Sequence, residues 1–479
     1  MDRVALPVRT RSTLKALGAT TVLALAVALG SAQASAQASA ADEAGTVAVS
    51  GSARRLAVFK DFRAAFDRGD YTAALPLASE VVALSEAAFG DSDRELVNPL
   101  SNLGATQYRL GDYDGAASSF QRSLALIDGK SAGADRQLIR PLQGLGETLL
   151  ATGRHAEAAV AFKRAVDLSR NLDGLFNVEQ LDSLDPLIEC YVALDQLAEA
   201  EKENQYGFRV AELAFGREDP RLLEPLDRFA RWSEYVGRYT TARGLHARAL
   251  QLSEQRFGLR AVQSVDALRG LARTYYLEFI YGPEDPEAGT DPFAPAASAP
   301  SIGDQSRLNP DGERALRIAL EALGTAAAPD RRQTGDTLIE LGDWHLISGA
   351  TAKALVAYRD GWTELAQLGP EATRTLSAPR RLAYRPPSAS IARASPNKPE
   401  DFEERFVEAR FTVGTDGKLD AVETAATDAP AAVERAVLFA VRKARYAPRL
   451  ENGEPVETLE VRLRERVLVK RASAPDTDR

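Results

Sequence analysis

The stretch LGATQYRLGDYDGAASSFQRSLA (Leu103–Ala125) decides the fold, because it holds two amphipathic helical segments on either side of a Gly-Asp-Tyr turn. The pattern returns every 42 residues, so that Gly146 repeats Gly104 and Phe162 repeats Phe120. The turn position recurs as an arithmetic series: Gly69, Gly111, Gly153, Asp195 and Gly237. A fixed period of this length is typical of a solenoid of helical hairpins, in which each hairpin buries its apolar face against its neighbours.

The register predicts about seven hairpins over residues 52–370. The sixth is interrupted by a stretch rich in Pro, Ala, Asp and Ser (282–312), which we expect to be a flexible insertion. The repeats resemble tetratricopeptide repeats in the 42-residue form of kinesin light chains. Gly104 and Gly146 stand at the small positions of that family, and Phe120 and Phe162 at the large ones. The resemblance implies a mainly α fold, a right-handed α-solenoid.

The resemblance also implies a concave groove, lined by the first helix of each hairpin, that accepts an extended peptide or a helix of a protein partner. By the family's register the partner-binding positions are Asn98, Tyr108, Arg140, Gln143, Glu147, Asp182, Asp185, Glu189, Asp227, Arg231, Tyr235, Arg269 and Arg273. The middle of this set is acidic and favours a basic partner segment. For each residue the alternative is a solvated charged face.

Kinesin light chains hold peptide backbones with asparagines on these first helices. Asn102 matches that pattern in this chain. The equivalent positions of the other hairpins carry Gly144, Pro186, Arg228 and Gly270. The sequence therefore departs from the kinesin type of peptide binding.

The amino terminus (residues 1–41) is predicted to be a secretory signal peptide. Arg3, Arg9, Arg11 and Lys15 precede the apolar run 16–30, and the small residues of SAQASAQASA offer cleavage sites. The run is shorter than the ~20 residues that span a bilayer. We expect a periplasmic protein, and an uncleaved anchor in the inner membrane is the alternative.

Composition changes after Gly369. A Pro- and Arg-rich linker is predicted over 371–400, a small α+β domain over 401–470 and a disordered tail over 471–479. Within the domain, Val407, Ala409, Phe411 and Val413 alternate with polar residues before Gly-Thr-Asp-Gly, which predicts a β-hairpin.

An amphipathic helix is predicted over Pro430–Arg445, and a last strand over Thr458–Val469 completes a β-β-α-β order. The predicted apolar stripe of this helix consists of Ala432, Ala436, Phe439, Ala440 and Lys443. In the last strand, Leu459, Val461 and Leu463 are expected to face one way.

The domain resembles the carboxy-terminal domain of TonB-type proteins. The resemblance is carried by Phe411-Thr412-Val413, Arg445-Tyr446-Ala447-Pro448 and Gly453-Glu454-Pro455-Val456. In that family a sheet edge pairs with a strand of an outer-membrane receptor. The resemblance places the edge in the last strand, with Leu459, Val461, Leu463, Arg462 and Arg464 as candidate pairing residues. The charged side chains equally suit an edge protected against aggregation.

The composition excludes several functions. A formal net charge of -9 argues against general nucleic-acid binding. Three histidines lie in different repeats, so no His-based metal or catalytic cluster is expected. The single cysteine, Cys190, lies in a helical segment, where a small buried thiol is the expected reading rather than a reactive one. We expect no cofactor, no catalysis and no membrane insertion once the signal is removed.

The sequence therefore predicts a periplasmic, non-enzymatic adaptor that binds protein partners, among them an envelope or outer-membrane protein. One alternative is a membrane-anchored TonB-like energy transducer that acts on outer-membrane receptors in transport. Another is a carboxy-terminal domain that only caps the apolar end of the last hairpin.

Overall fold

The computed structural model describes residues 38–127, 135–258, 260–282, 308–387, 389–390 and 402–471, with only the backbone for 38–50. The predicted signal peptide up to residue 37, most of the predicted insertion and the tail from 472 lie outside the described residues. The chain divides into two compact units at Gly216 and Arg217.

The first unit is all helical in its described part and contains four consecutive hairpins. Their helices are α1 (Ala38–Asp67), α2 (Tyr71–Phe89), α3 (Val97–Arg109), α4 (Tyr113–Ala125), α5 (Ile139–Ala151), α6 (His155–Asp173), α7 (Leu181–Ala193) and α8 (Leu197–Phe215). Among the described helices, α2 is the one long and apolar enough to cross a membrane. It is also a helix of the first hairpin, with Ala74, Ala78, Val81 and Val82 buried.

The second unit continues with three described hairpins. Their helices are α9 (Leu223–Tyr235), α10 (Tyr239–Phe257), α11 (Val265–Tyr281), α12 (Pro310–Gly324), α13 (Arg331–Ile347) and α14 (Thr351–Ala366), followed by the short α15 (Pro370–Thr373). Helices α11 and α12 pack together although the predicted insertion separates them in sequence.

The predicted turn series is confirmed. Its backbone angle φ is 77° at Gly69, 80° at Gly111, 75° at Gly153, 58° at Asp195 and 83° at Gly237. Only the left-handed backbone region reverses the chain here, and glycine enters it without steric cost. The next helix then begins at once, as where the Asp112 carboxylate accepts the backbone N–H of Gly115 at 3.0 Å.

The predicted alternation of small and large residues is confirmed as the packing rule of the solenoid. A Cβ atom on Gly146 would lie 2.7 Å from the Phe162 ring, and one on Gly342 would lie 2.4 Å from Tyr358. Phe120 and Phe162 are both buried. Because the glycines have no side chain, neighbouring helices can pack closely against these rings.

The second unit ends in a three-stranded antiparallel sheet of order β3-β2-β7. Its strands are β2 (Phe402–Val413), β3 (Leu419–Thr427) and β7 (Thr458–Lys470), and α16 (Ala431–Arg442) packs against β2 and β3. The predicted hairpin is confirmed, since Val407, Ala409, Phe411 and Val413 are all buried beside the turn at Gly414.

The predicted stripe of α16 is wrong. Val437 and Val441 are buried, whereas Ala432, Ala436, Phe439 and Lys443 are exposed. The helix carries two neighbouring apolar stripes, and the valine stripe packs against the sheet because it presents more bulk than the alanines.

The expected facing of the last strand is also wrong at one position. Leu459 is 65% exposed, while Val461 and Leu463 pack against the core of the sheet. A bulge opposite Phe411–Val413, with Glu460 at a φ of 57°, interrupts the alternation.

Part of the stretch predicted to be a linker is ordered. Strand β1 (Arg380–Ala383) pairs with β4 (Arg445–Ala447). The Arg380 guanidinium donates to the Asp343 carboxylate of α13 at 2.6 and 3.0 Å. The phenol of Tyr276 donates to the Leu382 carbonyl at 2.8 Å. These contacts anchor the chain against the last hairpins before the sheet begins.

The sheet domain packs on the last hairpin through an apolar cluster. Leu382, Ala447 and Leu450 contact buried residues of α13 and α14, including Ile339 and Leu365. The β5–β6 turn (Arg449–Glu451 and Glu454–Val456) lies over α14, where Arg359 pairs with Glu454 at 2.8 Å. The domain therefore covers apolar surface that the solenoid would otherwise expose.

Candidate protein-binding groove

The first helices of successive hairpins contact one another within each unit, as α3 does with α5 and α5 with α7. In a curved solenoid, helices that approach in this way form the inner side. In the first unit the predicted groove residues lie on these helices. Tyr108, Gln143, Glu147, Asp185 and Glu189 are half-buried, and Asn98, Arg140 and Asp182 are exposed.

The structure brings Tyr108, Glu147 and Glu189 together from α3, α5 and α7. Burial raises the pKa of the Tyr108 phenol, and the carboxylates of Glu147 and Glu189 raise it further. These three side chains, which we call the acidic cluster, lie on three successive hairpins and interact electrostatically. Gln143 also links two hairpins, since its amide donates to the Ser183 hydroxyl at 2.9 Å.

A positive group lies on the same face. Although the Arg140 residue is exposed, neighbouring groups shield its guanidinium from solvent; this desolvation lowers its pKa, and the charge of Arg63 of α1 lowers it further. The first unit thus carries acidic and basic positions on the same set of helices.

The asparagine positions of kinesin light chains have a different role in this chain. A Cβ on Gly144 would lie 2.2 Å from the Phe120 ring, and Pro186 is buried. In the second unit, a Cβ on Gly270 would lie 2.2 Å from the His246 ring. Gly144 and Gly270 therefore accept the large residue of a neighbouring helix and offer no side chain that holds a peptide.

In the second unit the predicted groove arginines are engaged within the chain. Arg231 donates to Asp227 at 2.8 Å on the same helix. Arg269 donates to both oxygens of Glu340 at 2.9 and 2.7 Å, and Arg273 to Glu234 at 2.6 and 3.2 Å. Tyr235 lies half-buried with its ring 5.7 Å from that of Trp232. Bidentate pairs of this kind fix the arginine in one geometry.

Glu234 and His246 form a buried polar pair that the sequence analysis missed. His246 is fully buried and Glu234 is 5% exposed. Burial opposes ionisation of Glu234, but Arg273 and His246 outweigh it and lower the pKa of its carboxyl. Because an ionised carboxylate only accepts, Nε2 of His246 donates to Glu234 at 2.8 Å.

A sequence signal for this pair exists. His246 stands three periods after Phe120, and Glu234 three periods after Tyr108. Polar residues therefore occupy two positions that are aromatic in the second hairpin. Because Glu234 and His246 lie in neighbouring helices, these two replacements indicate that the two side chains contact each other.

The last strand, β7, is an edge strand of the three-stranded sheet, and the predicted pairing residues lie on it. Arg462 pairs with Glu408 of β2 at 2.9 Å, and the Arg464 guanidinium lies 3.7 Å from the Phe406 ring centroid. On the outer edge of β7, the backbone N–H of Leu468 donates to the Ala389 carbonyl at 2.7 Å. The chain's own backbone therefore occupies the carboxy-terminal end of that edge.

Cys190 is fully buried in α7. Burial, assisted by the charge of Glu189, raises the pKa of its thiol to about 12. A thiol held protonated in this way is a poor nucleophile and a poor metal ligand.

Comparison with known proteins agrees with the repeat architecture. Residues 63–129 match the model of a tetratricopeptide repeat family. A search of curated proteins gave no match. Repeats of this type are typical of scaffolds for protein–protein interaction.

Similar solved structures include three helical repeat proteins. Kinesin light chain nearly identical TPR-like repeats from Podosopora anserina are 17% identical over 43% of this chain and 97% of that chain, with a TM-score of 0.40. The apo form of RapI is 13% identical over 66% of this chain and 98% of that chain, with a TM-score of 0.41. Aspartyl phosphate phosphatase F from Bacillus subtilis is 12% identical over 67% of this chain and 73% of that chain, with a TM-score of 0.42.

Proposed function

We propose that the chain is a non-enzymatic adaptor that binds a basic segment of a protein partner on the first helices of hairpins two to four. The observation that carries this proposal is the acidic cluster, in which Glu147 and Glu189 of the next two hairpins act on the Tyr108 phenol. A lysine or arginine of the partner would contact carboxylates and an aromatic face in one place.

The charged groove residues of the second unit are less suited to binding a partner. Its arginines on the first helices, Arg231, Arg269 and Arg273, already donate to carboxylates of the same chain. A partner would have to break these bonds before it could bind them, and breaking a buried charged pair is costly. These three arginines are therefore poor candidates for contacting a partner.

The test is binding of a labelled arginine-rich peptide to the purified protein, measured by fluorescence anisotropy. The double variant Glu147→Gln/Glu189→Gln is expected to bind about tenfold more weakly, and the difference should shrink at high salt. Glu199→Gln is the matched control, because Glu199 is exposed on the second helix of the fourth hairpin. Equal binding by the double variant and the control would reject the proposal.

For the TonB-like domain we propose a capping role on the last hairpin. The cluster formed by Leu382, Ala447 and Leu450 with α13 and α14 supports it, as does the bond between Arg380 and Asp343. Removal of residues 378–479 is then expected to cause aggregation through the exposed ends of α13 and α14. A truncated chain that stays monomeric would favour the alternative, in which β7 pairs with a partner strand.

We further propose that the protein acts in the periplasm, which rests on the predicted signal peptide. Amino-terminal sequencing of the protein from its native cell, with fractionation, tests this. A start near Asp42 in the soluble periplasmic fraction is expected. An intact amino terminus in the inner membrane would instead favour the anchored energy transducer.

A further inference from the structure

The outer face of α16 is the one place in the described sheet domain where unpaired cations surround an exposed aromatic ring. Phe439 is 58% exposed, and the Lys443 ammonium lies 4.4 Å from its ring centroid. Arg435 and Arg442 are exposed on the same helix. We call Arg435, Phe439, Arg442 and Lys443 the α16 face.

Elsewhere in the domain, several arginines on the sheet are matched by carboxylates, whereas Arg464 lies over the Phe406 ring. Arg410 pairs with Glu423 and with Glu460, and Arg462 pairs with Glu408. On the α16 face the situation differs. No carboxylate among the described residues lies within ion-pair distance of its three cations, and Arg442 donates only to the Val422 carbonyl at 3.4 Å. Three cations without a carboxylate partner among the described residues therefore lie on or at the end of the same helix as Phe439.

We propose that the α16 face docks an acidic segment of a protein partner that inserts an apolar side chain against Phe439. Charge complementarity specifies the acidic residues, and the exposed ring specifies the apolar anchor. The helix has 12 residues and is about 18 Å long, which matches a short helical or extended segment.

The composition of the face favours a protein over a membrane surface. Interfacial helices insert several large apolar side chains into the lipid boundary. On this helix Phe439 is the large exposed apolar residue, and its exposed apolar neighbours Ala432 and Ala436 are small. The face therefore provides one anchor with flanking charges, as at a protein hot spot.

The test is titration of the full chain into a labelled peptide that carries glutamates around a central Phe-Leu pair. Phe439→Ala is expected to weaken binding at least about tenfold, and Arg435→Gln and Lys443→Gln each by about two- to fivefold. The residues are exposed, and thermal unfolding of each variant verifies that the fold is unchanged.

Matched controls separate this face from other surfaces. Leu459→Ala removes the other large exposed apolar side chain of the described domain, and Arg462→Gln removes a paired cation. Both are expected to bind the peptide like the unaltered protein. Glu147→Gln/Glu189→Gln should also leave binding unchanged, which separates this result from the groove experiment.

Three outcomes would overturn the proposal. One is no peptide binding at concentrations up to about 1 mM, and another is binding that Phe439→Ala leaves intact. The third is that Phe439→Ala abolishes binding to phosphatidylserine vesicles, or self-association in size-exclusion chromatography, while the peptide does not bind.

Discussion

The first helices of hairpins two to four carry fewer charged side chains than those of hairpins five to seven, and the two sets arrange them differently. In the former, the carboxylates of Glu147 and Glu189 both act on one tyrosine. In the latter, Arg269 and Arg273 each form two bonds to one carboxylate. A charged residue at a groove position whose counter-charge comes from its own chain, as Arg269 receives it from Glu340, is therefore a weaker candidate for binding a partner.

The same two regions differ in their cores. Phe120 and Phe162 fill the space beside a glycine in hairpins two and three, whereas His246 fills it in the fifth. The imidazole needs a polar partner when buried, and Glu234 provides one at 2.8 Å. Arg273 belongs to the same network as the polar core, since it donates to the same Glu234 carboxylate.

The largest expected effect is a difference in the free energy of unfolding between variants of the two sets of helices. Glu234→Ala should lower the free energy of unfolding by about 3–5 kcal/mol, because it leaves Arg273 and the buried His246 without their acceptor. Glu189→Ala, at a half-buried groove position, should change it by less than about 0.5 kcal/mol. Urea denaturation followed by circular dichroism measures both. Equal losses would show that the two regions do not differ in this way.

The stability contributed by Glu234, in the first helix of the fifth hairpin, is expected to depend on pH. The folded protein holds the pKa of Glu234 below its ordinary value of about 4.3. Its contribution to stability is therefore present above about pH 4.3 and is lost as the pH falls through the lowered pKa. Urea midpoints from neutral to acidic pH should decline less steeply in Glu234→Gln than in the unaltered protein. Parallel declines would contradict this role.

Much of the fold follows from features that lie close together in sequence. A 42-residue period, a turn residue and a small–large pair all depend on contacts within one hairpin or between neighbours. For the same reason Asp195 could be recognised as a turn residue although the others are glycines. The strand alternation of Val407 to Val413 is equally local.

The remaining features depend on contacts distant in sequence. Glu340 lies 71 residues from Arg269, across the predicted insertion, so no spacing rule connects them. The two stripes of α16 are both apolar, and only the sheet decides which is buried. Arg380 is ordered by Asp343, a residue that the composition of the surrounding stretch does not reveal.

A smaller effect is expected at the turns, where hairpins two and four differ. Gly111→Ala forces a Cβ into a backbone with φ of 80°, which costs about 1–2 kcal/mol, while the reduced freedom of the unfolded chain offsets about 0.4–1 kcal/mol; the net loss should be about 0.5–1 kcal/mol. No other atom lies within 4 Å of the added Cβ, so no steric clash adds to this loss. Thermal unfolding measures it, with Gly244→Ala as the control at an open helical position. A loss no larger than that of the control would contradict the argument.

A change of similar size and opposite sign is expected at Asp195, which holds the same turn with φ of 58°. Asp195→Gly removes the strain of a side chain in the left-handed region, about 1–2 kcal/mol, but adds freedom to the unfolded chain worth about 0.4–1 kcal/mol. The net result should be a gain of about 0.5–1 kcal/mol in the free energy of unfolding, from the same two values. Urea denaturation of this variant beside Gly111→Ala should therefore show changes of opposite sign. A loss of stability in Asp195→Gly would mean that the aspartate side chain stabilises the fourth turn by more than its backbone strain costs.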